Sequence, residues 1–256
     1  MLLAIDVGNT HTVIGLFKKK ELFHHWRVKT DPANTADELA SQFYSLFAME
    51  KINFSQIKGV IIASVVPPMQ YAWTNFSQKH LSLQPLQVDS TIRTGMKILI
   101  DTPSELGADR IVNSVAAYAR YHTALVVVDF GTAITFDCVS ATGDYLGGAI
   151  APGLSISLEA LGKRTAKLPR VDISSPPDNP IGTNTVAAIK SGVLFGYGGM
   201  VEGLIARIKE QFQPETPTVI ATGGMAAIIA PYAPSIEAVS PMLTLEGLRI
   251  LYEKNL

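Results

Sequence analysis

Ile5-Asp6-Val7-Gly8-Asn9-Thr10 and Val128-Asp129-Phe130-Gly131-Thr132-Ala133 follow one pattern: an apolar residue, an aspartate, any residue, a glycine, then a polar residue. From Asp6 to Asp129 is 123 residues, close to half of the 256-residue chain. Each copy closes a run with the length and β-branched content of a buried strand. Each is followed by a second apolar strand, a turn and a third strand. The alternatives are a chance likeness of two short strand-turn-strand units and a duplicated unit, of which duplication is the better account; two copies are too few for a solenoid. The expected fold is α/β: two halves related by duplication, 1–121 and 122–256, with a cleft between them.

Working outward in the first half, Leu2–Val7, 12–17 and 22–28 read as successive strands, with Lys18-Lys19-Lys20-Glu21 as a charged hairpin tip. Residues 35–47 carry Leu39, Phe43, Leu46 and Phe47 at helical spacing, and Thr35 with Glu38 fits a capping box. A strand over 58–65 is closed by Pro67-Pro68, a helix follows over 69–80 and a short strand over 86–88. Ala108–Tyr121 reads as a helix with Ile111, Val112, Val115, Ala116 and Ala119 on one face. The second half repeats the strand order over 125–129, 134–139 and 145–151, with Gly143-Asp144 as the hairpin turn. A helix is expected over 155–161, and a surface loop over 169–182 with Pro176, Pro177 and Pro180. A long helical region over 183–211 reads as interrupted around Gly196-Tyr197-Gly198-Gly199. A strand over Thr218–Thr222 and a C-terminal helix over 243–251 complete the chain.

Lys and Arg number 21 against 22 Asp and Glu, a formal net charge of −1. Such balance argues against nucleic acid as a partner, because nucleic-acid binders carry a basic excess. Hydrophobic residues make up 47% of the chain, enough for a core and against wholesale disorder. The single cysteine, Cys138, permits neither an internal disulfide nor a multi-cysteine zinc site. No basic n-region precedes Leu2, and Asp6 interrupts the first apolar stretch, so no signal peptide is expected. The strongest apolar runs, 59–66 and 124–128, fall far short of the roughly 20 residues that span a bilayer. A cytoplasmic protein with no membrane partner is expected.

Glycine at the end of a strand lets backbone N–H groups turn toward a ligand, and small hydroxyl or amide side chains add donors, which suits phosphate oxygens. The aspartate just before it can hold a cation against the same phosphates. Neither GxxxxGK[ST] nor GxGxxG occurs, which excludes P-loop and Rossmann sites. Together these features resemble the actin-like ATPase superfamily, whose members have two ribonuclease H-like halves with a phosphate turn on the first hairpin of each. Ala221-Thr222-Gly223-Gly224 is similar to its adenosine motif; the plainer reading is an ordinary strand-to-helix turn.

Gly107-Ala108-Asp109-Arg110 opens a helix and follows Asp101-Thr102-Pro103. The plainer reading is charge capping of a helix start. The functional reading makes Asp109 a general base and Arg110 an anchor for a carboxylate or phosphate. With the turns at Asp6 and Asp129 and with Gly182-Thr183-Asn184-Thr185, this motif completes a set that resembles the type III pantothenate kinase family along the whole chain.

That resemblance implies ATP-dependent phosphorylation of pantothenate, the first step toward coenzyme A. It implies Asp109 as proton acceptor, Gly107, Ala108, Asp109 and Arg110 in the pantothenate pocket, and Thr185 as a further substrate contact. It implies ATP contacts from Asp6, Val7, Gly8, Asn9, Thr10, His11, Thr12, Val13 and Thr132, with Gly223 in the adenosine motif. Asp129 is implied as ligand of a monovalent cation, normally K+, and Mg2+ or another divalent ion accompanies ATP. A homodimer with sites near the subunit interface is also implied. One position departs from the pattern: Ile100 stands where the family commonly has a tyrosine contacting pantothenate. Two other functions stay open on the residues, another small-metabolite kinase of the superfamily and a catalytically silent nucleotide-binding regulator. The joint presence of Asp6, Asp109, Arg110 and Asp129 favours an enzyme.

Other residues have plainer expectations. Cys138 reads as a small core residue, and His24-His25 lack partners at metal-ligand spacing. Lys18-Lys19-Lys20 and Lys163-Arg164 read as solvated. Tyr197 and Met200 suit a core or a dimer surface.

Overall fold

The apolar run of β1 (Leu2–Val7) has almost no alternation because the strand is covered on both faces; Leu3, Ile5 and Val7 are wholly buried and so is Ala4. It pairs antiparallel with β2 (His11–Lys18), which pairs antiparallel with β3 (Glu21–Lys29). On its other side β1 pairs parallel with β4 (Gly59–Ser64), and β4 with the short β5 (Leu86–Gln87). The sheet order is therefore β3-β2-β1-β4-β5. Parallel neighbours need crossover helices, supplied by α1 (Ala36–Met49) and α2 (Pro67–Leu81). Leu3, Ile5, Val7, Ile14 and Leu16 form one core cluster with Phe43 and Phe47 of α1 and Trp73 and Phe76 of α2. The capping box at the start of α1 is present: Thr35 caps the Glu38 N–H, and the Glu38 carboxylate accepts the Thr35 N–H at 2.8 Å.

In the computed structural model, residues 1–89, 91–165, 167–173, 175, 177 and 179–256 are described. They separate into two units, Met1–Ala119 with Met242–Leu256, and Arg120–Pro241. The second repeats the first. β6 (Leu125–Phe130), β7 (Ala133–Val139) and β8 (Tyr145–Pro152) form an antiparallel meander; β9 (Thr218–Thr222) runs parallel to β6, and β10 (Ala238–Val239) parallel to β9. Read from β8, the order matches that of the first sheet. Even the irregularities correspond, with a register shift at Leu16/Phe17 between β2 and β3 and at Cys138/Val139 between β7 and β8. Val126, Val128, Phe130, Ile134 and Phe136 pack with Leu194, Val201 and Ile205 of α5 (Thr185–Gln211). Between β8 and α5 lies α4 (Leu154–Arg164), and α6 (Ala226–Ile229) follows β9.

Three expectations are corrected. The second unit is not 122–256, because the terminal helix α7 (Leu243–Lys254) belongs to the first. Its Leu245, Leu248 and Leu251 are buried, and its Tyr252 ring occupies the space that a side chain at Gly59 of β4 would fill. Thr244 Oγ1 donates to Asn113 Oδ1 of α3 (Ala108–Tyr121) at 2.8 Å, and Lys254 Nζ to the Thr94 carbonyl at 2.7 Å. Asn255 grips the Arg93 backbone from both sides, Oδ1 accepting its N–H at 3.1 Å and Nδ2 donating to its carbonyl at 2.9 Å.

Second, α5 runs unbroken through its glycines. Gly198 is there for closeness, since any Cβ would strike the Tyr232 backbone. Third, β4 ends before Pro67 and Pro68 as expected, but α2 begins at Pro67 and not at 69; the missing N–H groups would have no helical partner in the first turn anyway. The remaining helices and strands fall within a few residues of expectation, and Ala108–Tyr121 coincides with α3. In the segment 169–182, Pro177 and Pro180 lie in irregular backbone, and Pro176 lies outside the described residues.

Candidate active site

Asp6 and Asp129 hold the same place in the two sheets. Asp6 is opposite Val13 on β2 and Ala63 on β4; Asp129 is opposite Thr135 on β7 and Thr222 on β9. Alternation along the strand puts each carboxylate on the face away from the helix-packed core that holds Ile5 and Val7, or Val128 and Phe130. Both carboxylates are half-buried.

Asn9 and Thr10 form the tip of the first turn, closed by the Gly8 N–H donating to the His11 carbonyl at 3.1 Å. Asn9, Thr10 and His11 are exposed and Gly8 and Val13 half-buried, whereas Val7 and Thr12 are buried. Partial burial, with the Arg27 charge as second cause, holds the His11 imidazole below its usual pKa. The turn is also gripped by Thr30, just beyond β3. Its N–H donates to the Thr10 carbonyl at 3.0 Å, its hydroxyl donates to the Gly8 carbonyl at 2.7 Å, and Thr12 Oγ1 lies 2.9 Å from that hydroxyl.

Asp109 is the second residue of α3. Its Oδ1 accepts the Arg110 N–H at 2.9 Å, and a Cβ at Gly107 would come within 2.6 Å of that oxygen, so glycine lets the carboxylate fold back over the helix start. Burial raises the Asp109 pKa above the ordinary carboxylate value, opposed by the Arg110 N–H and the Arg110 charge. Ile100, upstream, is half-buried.

In the second unit the structure brings Asp129 and Gly223 together, with Thr132 on the turn between β6 and β7. Gly223 has φ of +91°, a left-handed conformation that favours glycine, and a Cβ there would collide with Asp129 Oδ1 and with the Phe130 backbone. The Met225 N–H donates to the Phe130 carbonyl at 3.3 Å, and the Gly153 N–H to the Thr132 carbonyl at 3.0 Å. Thr222 is fixed by its hydroxyl bond to the Ser240 carbonyl at 2.8 Å. Tyr197 of α5 reaches the Pro152 carbonyl at 3.2 Å, bracing the segment that supports Thr132. Thr185 is exposed in the first turn of α5, whose cap is Asn184 accepting the Ala187 N–H at 2.9 Å. Of the expected site residues, Asp6–Val13 and Gly107–Arg110 therefore lie in the first unit, and Asp129, Thr132, Thr185 and Gly223 in the second.

Thr30 and Ser240 escaped the sequence reading, because nothing in their local sequence announces a partner 18 to 22 residues away. Two surface hollows, about 390 Å³ beside Lys209–Thr216 and about 410 Å³ beside Tyr44–Phe54, involve none of the residues above. Among the described residues no group of three or more His, Cys, Asp and Glu side chains could hold a metal ion, and no helix is long and apolar enough to cross a membrane. Cys138 is buried in β7, Lys18 to Lys20 are exposed, and Lys163 pairs with Glu159.

A family model described as type III pantothenate kinase matches residues 2–207. The type III pantothenate kinase of Geobacter sulfurreducens is 51% identical over 255 residues, covering 100% of this chain and 99% of that protein. The one from Citrifermentans bemidjiense is 49% identical over 255 residues, covering 100% of both. Among solved structures, a Campylobacter jejuni protein assigned to the Baf family of transcriptional activators superposes with a TM-score of 0.63 at 19% identity, over 99% of this chain and 98% of that one. A polyphosphate/ATP-glucomannokinase from Arthrobacter superposes with a TM-score of 0.53 at 15% identity, over 99% and 98%. At such identities these structures speak to the fold alone: two α/β units, each built on a five-stranded sheet of the same order.

Proposed function

The chain belongs to the type III pantothenate kinase family, and from that premise we propose that Asp109 is the base accepting the proton of the pantothenate hydroxyl. The reaction is ATP-dependent phosphorylation of pantothenate in coenzyme A biosynthesis. Phosphoryl transfer to an alcohol asks of the protein alignment, charge neutralisation and a proton acceptor. The observation that carries the assignment is the placement of Asp109: a half-buried carboxylate on the first turn of α3, oriented by the Arg110 N–H, beside a guanidinium that can take the pantothenate carboxylate. A base in this role works within about 3 Å of the hydroxyl. Gly107 and Ala108 shape the same pocket, and Thr185 adds a substrate contact.

ATP is assigned to the Asp6–Val13 turn and Thr132 through its phosphates and to Gly223 through its adenosine. Exposed Asn9, Thr10 and His11 support direct contact; buried Val7 and Thr12 support a role in shaping the turn. Mg2+ is assigned to the nucleotide rather than to a protein cage, since such an ion binds through one or two carboxylates together with phosphates. Asp129 suits K+, being a carboxylate at a strand end beside a glycine-rich turn. The chain is further proposed to act as a cytoplasmic homodimer; Ile150, Ile156, Ile181 and Val186 of the second unit, all large hydrophobics left exposed, support a partner surface there.

Coupled ADP release with and without pantothenate, in potassium and in sodium, tests this reading. Expected is release that depends on pantothenate and is faster in potassium. Release indifferent to pantothenate would overturn the function, and equal rates in the two salts would remove only the cation at Asp129.

A further inference from the structure

We infer that Thr30 is a positioning residue for the first phosphate turn, setting the direction in which the turn presents its backbone donors to ATP. This inference rests on the assignment of the Asp6–Val13 turn to ATP.

The Thr30 hydroxyl has one proton, and it goes to the Gly8 carbonyl at 2.7 Å. The contact of 2.9 Å between Thr12 Oγ1 and Thr30 Oγ1 then needs Thr12 as donor. A one-way chain results, Thr12 to Thr30 to Gly8, within a site where Thr12 is 1% and Thr30 4% exposed. Thr30 also donates its N–H to the Thr10 carbonyl at 3.0 Å. Two carbonyls of the turn are thereby held toward the end of β3.

A trans peptide carries its C=O and N–H on opposite sides. Fixing the Gly8 carbonyl on Thr30 therefore fixes the Asn9 N–H to point the other way. Asn9 is exposed, and its N–H makes no hydrogen bond to any described residue. A turn whose carbonyls are tied back and whose amide is free is a donor surface, the polarity an anionic phosphate oxygen requires. Without the hydroxyl at 30, the Gly8 peptide can rotate and offer its carbonyl to the phosphate, which repels it.

The test compares Thr30→Val, which keeps shape and removes the hydroxyl, with Thr30→Ser, which restores it, and runs Asp6→Ala alongside. Thr30→Val is expected to raise the KM for ATP about tenfold, the worth of one buried hydrogen bond. The KM for pantothenate should stay within about twofold, and Thr30→Ser should return the ATP value to near wild type. A general loss of structure would instead shift both KM values and the melting curve together. A folded Thr30→Val protein with an unchanged ATP KM overturns the inference, as does a Ser variant as impaired as the Val one. If Asp6→Ala also leaves the ATP KM unchanged, the assignment of the turn to ATP fails; if only Asp6→Ala is impaired, the role of Thr30 alone fails. One measurement needs no variant: on titrating the wild-type protein with a non-hydrolysable ATP analogue, the Asn9 amide resonance is expected to shift, and an unmoved Asn9 signal would overturn the inference.

Discussion

At the scale of single residues, the Asp109 carboxylate is held against its own solvation. Burial raises its pKa, so the charged form is disfavoured in the folded chain relative to the unfolded one. For a group shifted this way, stability is fully present below the unfolded-state pKa and declines as pH rises through the folded value. Asp109→Asn keeps an oxygen for the Arg110 N–H and removes the charge. It should therefore melt higher than wild type at neutral pH, with the gap closing on acidification; a lower melting temperature at pH 7 would contradict the assigned strain. The same variant should lose about 10²- to 10⁴-fold in kcat, the usual worth of a general base, and an unchanged kcat would remove Asp109 from the chemistry. Asp109 and Asp6 were singled out as candidates from the sequence because their motifs are contiguous. Thr30 was not, because its meaning lies in a bond to Gly8, 22 residues back along the chain.

Among the elements, α5 shows how one residue type serves opposite ends. A side chain at Gly196 would meet nothing within 4 Å, whereas at Gly198 it would strike the Tyr232 backbone. Gly196→Ala should therefore stabilise by up to about 1 kcal/mol through helix propensity, and Gly198→Ala should cost about 1–3 kcal/mol through overpacking. Thermal melts of the two variants check this, and shifts of the same sign would refute it. Reading the glycines of this segment as a break failed for that reason: local propensity carries no information about how near another backbone comes. Strands β1, β4, β6 and β9 were legible because burial on both faces leaves continuous apolar runs. The two-residue β10 and one-turn α6 are too short to leave a period.

For the whole molecule, the repeat was visible in the sequence, but not the ownership of the last helix. α7 follows the second unit in sequence and packs on the first through contacts that no local pattern encodes. Native-state hydrogen exchange should place the α7 amides in the protection class of β1 and β4, since cooperative units follow packing rather than chain order. Protection tracking β6 and β9 instead would refute the assignment. The same feature makes the duplication inseparable by a single cut. A break between Ala119 and Arg120 yields two fragments, of which the later one carries the helix that the earlier one needs to cover its sheet. A break between Pro241 and Met242 frees that helix as a short peptide. The chain thus has the layout of a split reporter, in which recovered kinase activity would register the meeting of two pieces.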